Sequence, residues 1–263
     1  RLHEETIALQ KAKLGSNHPD TLWGMCNVAN AYNALGRHAE ALELLEETVA
    51  RMKAQLGADH ADTLNGMNSL ANAYHDLGRH TDALKLREEA VARLRTRKRR
   101  EEKPLAVMTA EPGLLASLSD EELALLRTPA RPIVLVRRRP ESPIVDGVAP
   151  GSPWLGLMLP YSPLHHLLCA DTGRPLVMTS GNLTDEPIAF EDDDARERLG
   201  GIADLVLSHD RPIHRRCEDS VWRAGFPIRR SRGYAPGAIP LPVSARCPLV
   251  AVGAELKATF CVA

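Results

Sequence analysis

Several things are scarce in this chain of 263 residues, and each scarcity removes a class of protein. Cysteine occurs five times, at Cys26, Cys169, Cys217, Cys247 and Cys261, an odd and scattered set without a C-x-x-C pair. That pattern argues against a disulfide framework and against a structural zinc ribbon, so a reducing cytoplasm is the expected compartment. No apolar run approaches the roughly 18 residues of a membrane span, and Arg1 opens an amphipathic segment instead of a signal peptide. Excess charge is missing too: 33 Lys+Arg face 34 Asp+Glu, for a net charge of −1. A wholesale nucleic-acid coat is therefore not expected, although local basic patches survive that test.

Proline is almost absent from the first part. Only Pro19 precedes Lys103, and the other 18 prolines fall between Pro104 and Pro248. Two architectures are joined here. The absence of an initial Met and the stop within the apolar run Cys261-Val262-Ala263 lead us to expect part of a longer product.

The first part repeats itself. Leu14-Gly15 recurs as Leu56-Gly57, Asp20-Thr21-Leu22 as Asp62-Thr63-Leu64, and Asn30-Ala31-Tyr32 as Asn72-Ala73-Tyr74, always 42 residues on. Leu35-Gly36-Arg37-His38 and Ala41-Leu42 recur at the same offset. A fixed period of this size means stacked supersecondary units. Asp20 and Asp62 are read as helix caps, Gly36 and Gly78 as the turns that end those helices, and Ala41 and Ala83 as openers of the partner helices. These residues resemble the tetratricopeptide repeat in its longer, kinesin light chain-like form, over about residues 1–92. The resemblance implies a protein-binding surface whose partner is unknown. Two repeats fall short of the roughly three such stacks need, so upstream residues are expected to add more.

At the junction, LREEAVARLRTRKRREEKP (Leu86–Pro104) reads as a helix with a strongly basic end. One continuous helix from about Thr81 to Arg100 is expected, with Ala83, Leu84 and Ala90 on the repeats and Val91 and Leu94 toward the second part of the chain. Beyond Pro104, strands are expected at Leu105–Met108, Ile133–Val136, Pro175–Met178 and Ala203–Ser208. Helices are expected at Asp120–Leu126, Pro163–Leu168 and Glu191–Leu199, with Ser119 and Glu122 forming a capping box. The fold class is thus α + α/β: helical repeats at 1–92, an α/β domain at 93–245, and the opening of a further domain at 246–263.

Several strings in the second part are too particular to be generic: KRREEKPLAVM, VAPGSPWLGLMLPYSPLHHLL, PLVMTSGNLTDEPIA, GIADLVLSHDRPIHRRCEDSVWR and RRSRGYAP. They resemble the YrdC-like domain of the carbamoyltransferase HypF family, the hydrogenase maturation factors, over about residues 88–263. The tail AVGAELKATFC (Ala251–Cys261) resembles the opening strand of that family's transfer domain. The resemblance implies adenylate chemistry: carbamoyl phosphate and ATP, the latter with magnesium, give carbamoyl-AMP, and the carbamoyl group passes to the C-terminal cysteine of HypE. Relatives in the wider family make threonylcarbamoyl-AMP for tRNA or bind double-stranded RNA. A tetratricopeptide scaffold with a non-catalytic YrdC-like segment is the other alternative.

The family's K-x-R and S-x-N elements are present as Lys98-x-Arg100 and Thr179-Ser180-Gly181-Asn182. Two cations at a sheet edge suit phosphate oxygens, a glycine permits close backbone approach, and hydroxyl and amide groups hydrogen-bond a nucleotide. A plain turn is the commoner meaning of Ser-Gly-Asn alone. Ser220, Arg230 and Arg232 complete the expected phosphate-binding set, since attack on an α-phosphate needs charge neutralisation more than a side-chain nucleophile. His165, His166, His209, His214 and Cys217 match no common zinc spacing, so no metal site is assigned. Against the family pattern, Glu218 stands for Asp, Trp222 for Val and Ala258 for Asn. The family's glycine-rich opening strand also has no counterpart before Lys98. An unpaired sheet edge, an incomplete cleft and no overall transfer to HypE are therefore expected of this chain.

Overall fold

The computed structural model describes residues 2–238, together with 247, 250–252 and 260–262. The chain divides into two compact units: Arg1–Arg95 with Ala203–Val206, and Thr96–Ile202 with Leu207–Ala263.

The first unit holds helices α1 (Leu2–Leu14), α2 (Pro19–Ala34), α3 (His38–Gln55), α4 (Ala61–Asp76) and most of α5 (His80–Lys98). The 42-residue period is reproduced in backbone detail. Gly15 and Gly57 both adopt φ +91°, while Gly36 and Gly78 adopt +77° and +74°, a left-handed conformation that glycine tolerates best. The expected Asp caps are corrected. His18 and His60 occupy the N-caps, each accepting the backbone N–H of the following Asp20 or Asp62 at its Nδ1. The two Asp residues already lie in the first turn, where their charge meets the positive helix end. Leu22, Met25, Leu45, Met52 and Met67 form the shared core.

Helix α5 runs without a break through Leu86 to Lys98. It stops there, two residues short of the expected Arg100, because Arg99 turns left-handed at φ 51°. Ala83 is buried, but Leu84 is exposed and Leu86 packs on the repeat core in its place. Leu84 lies about 100° around the helix from Ala83, off the inward stripe.

The second unit is a mixed sheet with helices. Its strands are β1 (Ala106–Met108), β2 (Ala116–Ser117), β3 (Ile133–Arg138), β4 (Trp154–Met158), β5 (Leu176–Met178), β6 (Val221–Arg223) and β7 (Phe226–Arg229). They pair in the order β5-β1-β4-β3-β6-β7, with β2 beside β3. Val107, Val134, Val136, Leu155 and Leu157 are wholly buried, as expected for central strands. Helices α6 (Asp120–Arg127), α7 (Pro163–Thr172) and α8 (Asp192–Leu199) alternate with them, and Ser119 and Glu122 form the capping box. A separate hairpin pairs β8 (Val250–Val252) with β9 (Phe260–Val262). Most of the expected 246–263 domain, Ala258 included, lies outside the described residues.

One expected strand is not formed. Ala203–Ser208 carries no regular structure, and Leu205 and Leu207 are 87% and 67% exposed. A strand needs a neighbour for its backbone N–H and C=O groups, and none of the described strands pairs with this segment. Among the described residues no strand precedes β1; α5 leads into it directly.

Candidate functional site

The basic end of α5 is built into the loop after β5. Lys98 is 2% exposed, and its Nζ donates to the backbone carbonyls of Ser180 at 2.5 Å and Asn182 at 2.7 Å. An ammonium has three N–H groups, so one remains for a further acceptor. Thr184 closes the helix end, its N–H and Oγ1 both donating to the Lys98 carbonyl at 3.2 and 2.8 Å. Within the loop, Ser180 Oγ donates to Asn182 Oδ1 at 2.5 Å and Asn182 Nδ2 to the Glu186 carbonyl at 2.6 Å. Burial, reinforced by the Arg100 charge, pushes the Lys98 ammonium down to about 8, so it is still largely charged at neutral pH.

Arg100 folds back on the turn after it, donating to the carbonyls of Lys103 at 2.9 Å and Pro104 at 2.5 Å. Lys103 reaches Asp185 Oδ1 at 2.5 Å, tying the same turn to the same loop. Thr179 is exposed at the start of the loop. Gly181 does not use glycine's conformational freedom: a Cβ there would meet only Leu199 Cδ1, at an ordinary 3.5 Å.

The remaining expected residues gather elsewhere. Ser220 is fully buried; its Oγ donates to the Arg232 carbonyl at 2.9 Å and accepts the Ser231 N–H at 2.7 Å. Arg232 donates to Asp219 Oδ1 through Nε and Nη2, and to the carbonyls of Ala130 and Arg131. Its guanidinium lies 3.7 Å from the ring centre of Tyr161. Arg230 donates to the carbonyls of Tyr234 and Gly237. Against Tyr161 stands His165, edge to face at 4.4 Å. Its Nδ1 is buried without a hydrogen-bond partner, and burial, with Arg232 adding to it, pushes its ring below the usual range.

Strand direction separates the two groups. β5 ends beside the start of β1, so Ser180 and Asn182 lie at that end of the sheet. β6 starts, β7 ends and β4 ends at the other, which is where Ser220, Arg230, Arg232 and Tyr161 lie. Sequence reasoning does not single out Thr184, Asp219, Tyr161 or His165 as functional. Asp219 beside Ser220, and Tyr161 in the LPYSP string, are the available signals. The buried cysteines offer no nucleophile: burial pushes the Cys26 thiol up to about 12 and raises Cys169. Among the described residues, no group of three His, Cys, Asp or Glu side chains is placed to hold a metal ion.

A basic helix end locked into a Ser-x-Asn loop beside a mixed sheet, behind helical repeats, defines a YrdC-like α/β domain joined to tetratricopeptide helices. The chain belongs to the Sua5/YciO/YrdC family, described under telomere recombination, which matches residues 82–230. The tetratricopeptide repeat family matches residues 1–54 and 24–96. Carbamoyltransferase HypF of Rhodobacter capsulatus is 48% identical over 173 residues, covering 64% of this chain and 23% of that protein. Carbamoyltransferase HypF of Synechocystis sp. is 45% identical over 176 residues, with the same coverage of 64% and 23%. A crystal structure of full-length HypF in the phosphate- and nucleotide-bound form superposes with a TM-score of 0.61 at 44% identity, covering 66% of this chain and 29% of that one. The chain thus spans about a quarter of the length of the curated relatives it matches.

Proposed function

We propose that the α/β unit carries out the adenylating half of HypF-type carbamoyl transfer. ATP and carbamoyl phosphate are its substrates, carbamoyl-AMP its product, and the C-terminal cysteine of a HypE-like protein the eventual acceptor, in nickel–iron hydrogenase maturation. The observation that carries this reading is the 44% identity to a HypF seen with phosphate and nucleotide bound. Hydrolysis of carbamoyl phosphate supplies carbamate. A carbamate oxygen then bonds to the α-phosphorus of ATP as the bond to the bridging oxygen breaks, and pyrophosphate leaves with the electron pair. That step needs cations and alignment. The third N–H of Lys98 and the neighbouring Arg100 supply the first, and the Ser180–Asn182 loop, with Thr179 and Gly181, supplies the second. Magnesium enters with ATP as its counter-ion.

Ser220, Arg230 and Arg232 belong to the same nucleotide in this reading. Ser180 and Asn182 follow β5, whereas Ser220 and Arg230 flank β6 and β7, four to five strands along the order, so the two groups differ by about 10 Å along the strands and about 20 Å across them. Arg232 is the member of the second group best placed for the far end of that nucleotide, since it reaches the Ala130 and Arg131 carbonyls before β3 and the Tyr161 ring after β4. A second reading, a repeat scaffold with a non-catalytic α/β segment, draws on the engagement of Arg230 and Arg232 with protein acceptors. Exchange of labelled pyrophosphate into ATP separates the two. The adenylating reading predicts exchange that depends on carbamoyl phosphate and disappears in Lys98→Met. Absence of exchange in the folded chain favours the scaffold.

A further inference from the structure

An imidazole stands beside the second group of cations, and the nucleotide reading gives it no task. Ser162 caps α7 by accepting the His165 backbone N–H at 3.2 Å, which fixes that residue at the start of the helix. The His165 ring meets Tyr161 edge to face, with ring centres 4.4 Å apart, and the Arg232 guanidinium lies 3.7 Å from the centre of the same Tyr161 ring. The Arg232 cation is therefore within about 8 Å of the imidazole, a span over which partly buried charges are little screened.

A phenyl ring would fit here at lower cost. Nδ1 of His165 is buried without a hydrogen-bond partner, whereas phenylalanine would keep the edge-to-face contact and bury no polar atom. What the imidazole adds is the capacity to gain a proton. The charged and titratable groups facing it are Arg232 and Asp219 from the flanks of β6 and β7, His166 on its own helix, and Tyr161, which in turn faces Cys217. Asp219 would attract a proton to the ring, but its Oδ1 already accepts from both Nε and Nη2 of Arg232. Burial, with the Arg232 charge adding to it, keeps the ring neutral at neutral pH.

Arg232 itself retains a donor. Of the five N–H groups of a guanidinium, Nε and Nη2 serve Asp219 and the Arg131 carbonyl, and one on Nη1 serves the Ala130 carbonyl. One Nη1 N–H is left without an acceptor among the described residues. An anion on that N–H offsets the positive field that holds the imidazole neutral. The effect is reciprocal: an anion that raises the proton affinity of the ring is itself held more tightly once the ring is protonated.

We propose that the Arg232–Tyr161–His165 stack is a proton-coupled anion site, in which phosphate docking on Arg232 draws a proton onto His165. This rests on the reading that Arg232 meets the nucleotide, and it adds that the nucleotide is held more tightly as pH falls through the range of the ring. Lys98 responds to phosphate in the same sense, but near pH 8, so the two effects separate along the pH axis.

Calorimetric titration of ATP into the full chain, in two buffers of different ionisation enthalpy, counts the protons taken up. At about pH 6 Lys98 already carries its proton, and protonation of ATP itself is common to every protein compared. Uptake by the unaltered chain should exceed that of His165→Phe by about 0.3–0.5 proton, and its affinity should fall about threefold more than the variant's between about pH 6 and about pH 7. His165→Gln cannot titrate in this range either and should match His165→Phe, which keeps the comparison open if one of them does not fold. ATP binding with equal uptake in chain and variants would overturn the coupling and leave the nucleotide reading intact. Failure of ATP to bind would overturn the nucleotide reading, and inorganic pyrophosphate then decides the coupling by the same measurement: excess uptake by the unaltered chain supports it, and equal uptake or no binding overturns it.

Discussion

The helical unit and the α/β unit solve the problem of burial in different ways. In the repeats, every buried face meets a neighbour less than one period away, so the same local sequence gives the same backbone twice, down to φ +91° at Gly15 and Gly57. In the α/β unit, burial depends on partners far along the chain. β1 lies beside β4 and β5, and Lys98 is held by carbonyls more than 80 residues away. Local periodicity therefore specifies the first unit, whereas the second rests on a few long-range fasteners. The largest predicted effects fall on those fasteners.

Lys98→Met should cost the most. It leaves the Ser180 and Asn182 carbonyls without their shared donor, a loss of about 2–4 kcal/mol in denaturant unfolding monitored on the α/β unit. A loss under about 0.5 kcal/mol would remove Lys98 from the list of fasteners.

Lys98 also gives the comparison a pH axis. Its folded-state value is depressed to about 8 against an ordinary 10.5, so between those limits the unfolded chain binds the extra proton. The stability contributed by this group therefore rises with pH across that window, by up to about 3 kcal/mol. Unfolding at pH 8 and 10, with Lys98→Met as the reference that lacks this slope, checks the sign.

In the repeats the effects should be smaller and should come in matched pairs. Gly36→Ala and Gly78→Ala each force a side chain into the left-handed region, at a cost of about 1 kcal/mol. Thermal unfolding should show the two variants alike to within about 0.5 kcal/mol. A large disparity would break the claim that the two registers are locally equivalent.

The smallest effect belongs to Trp222. Its Nε1 is buried without a partner, and its ring lies 4.9 Å from that of Tyr234. Trp222→Phe keeps a ring and removes the orphan donor. Its predicted melting temperature equals or slightly exceeds that of the unaltered chain.

The same contrast explains what is legible in the sequence. The 42-residue register, the glycine turns, the α6 capping box and the central strands all arise from short-range patterns. His18 and His60 escape notice as caps because Asp is the commoner capping residue, yet the chain turns two residues earlier. Ala203–Ser208 has the apolar content of a strand, but pattern alone does not supply a ladder partner. The K-x-R and S-x-N elements are legible by resemblance. That Lys98 grips the main chain at Ser180 and Asn182, that Thr184 caps α5, and that Asp219 holds Arg232 are not. Each joins positions whose separation leaves no periodic trace.

The most direct test of the central claim is calorimetric titration of ATP into the chain and into the double variant Lys98→Ala with Arg100→Ala, both shown to be folded by circular dichroism. If the two cations hold nucleotide phosphates, binding weakens by about 2–4 kcal/mol in the double variant, and Lys98→Arg retains more affinity than either alanine because it keeps the charge. Equal ATP affinity in the folded double variant would contradict that role, leaving the Lys98 grip as structural support alone.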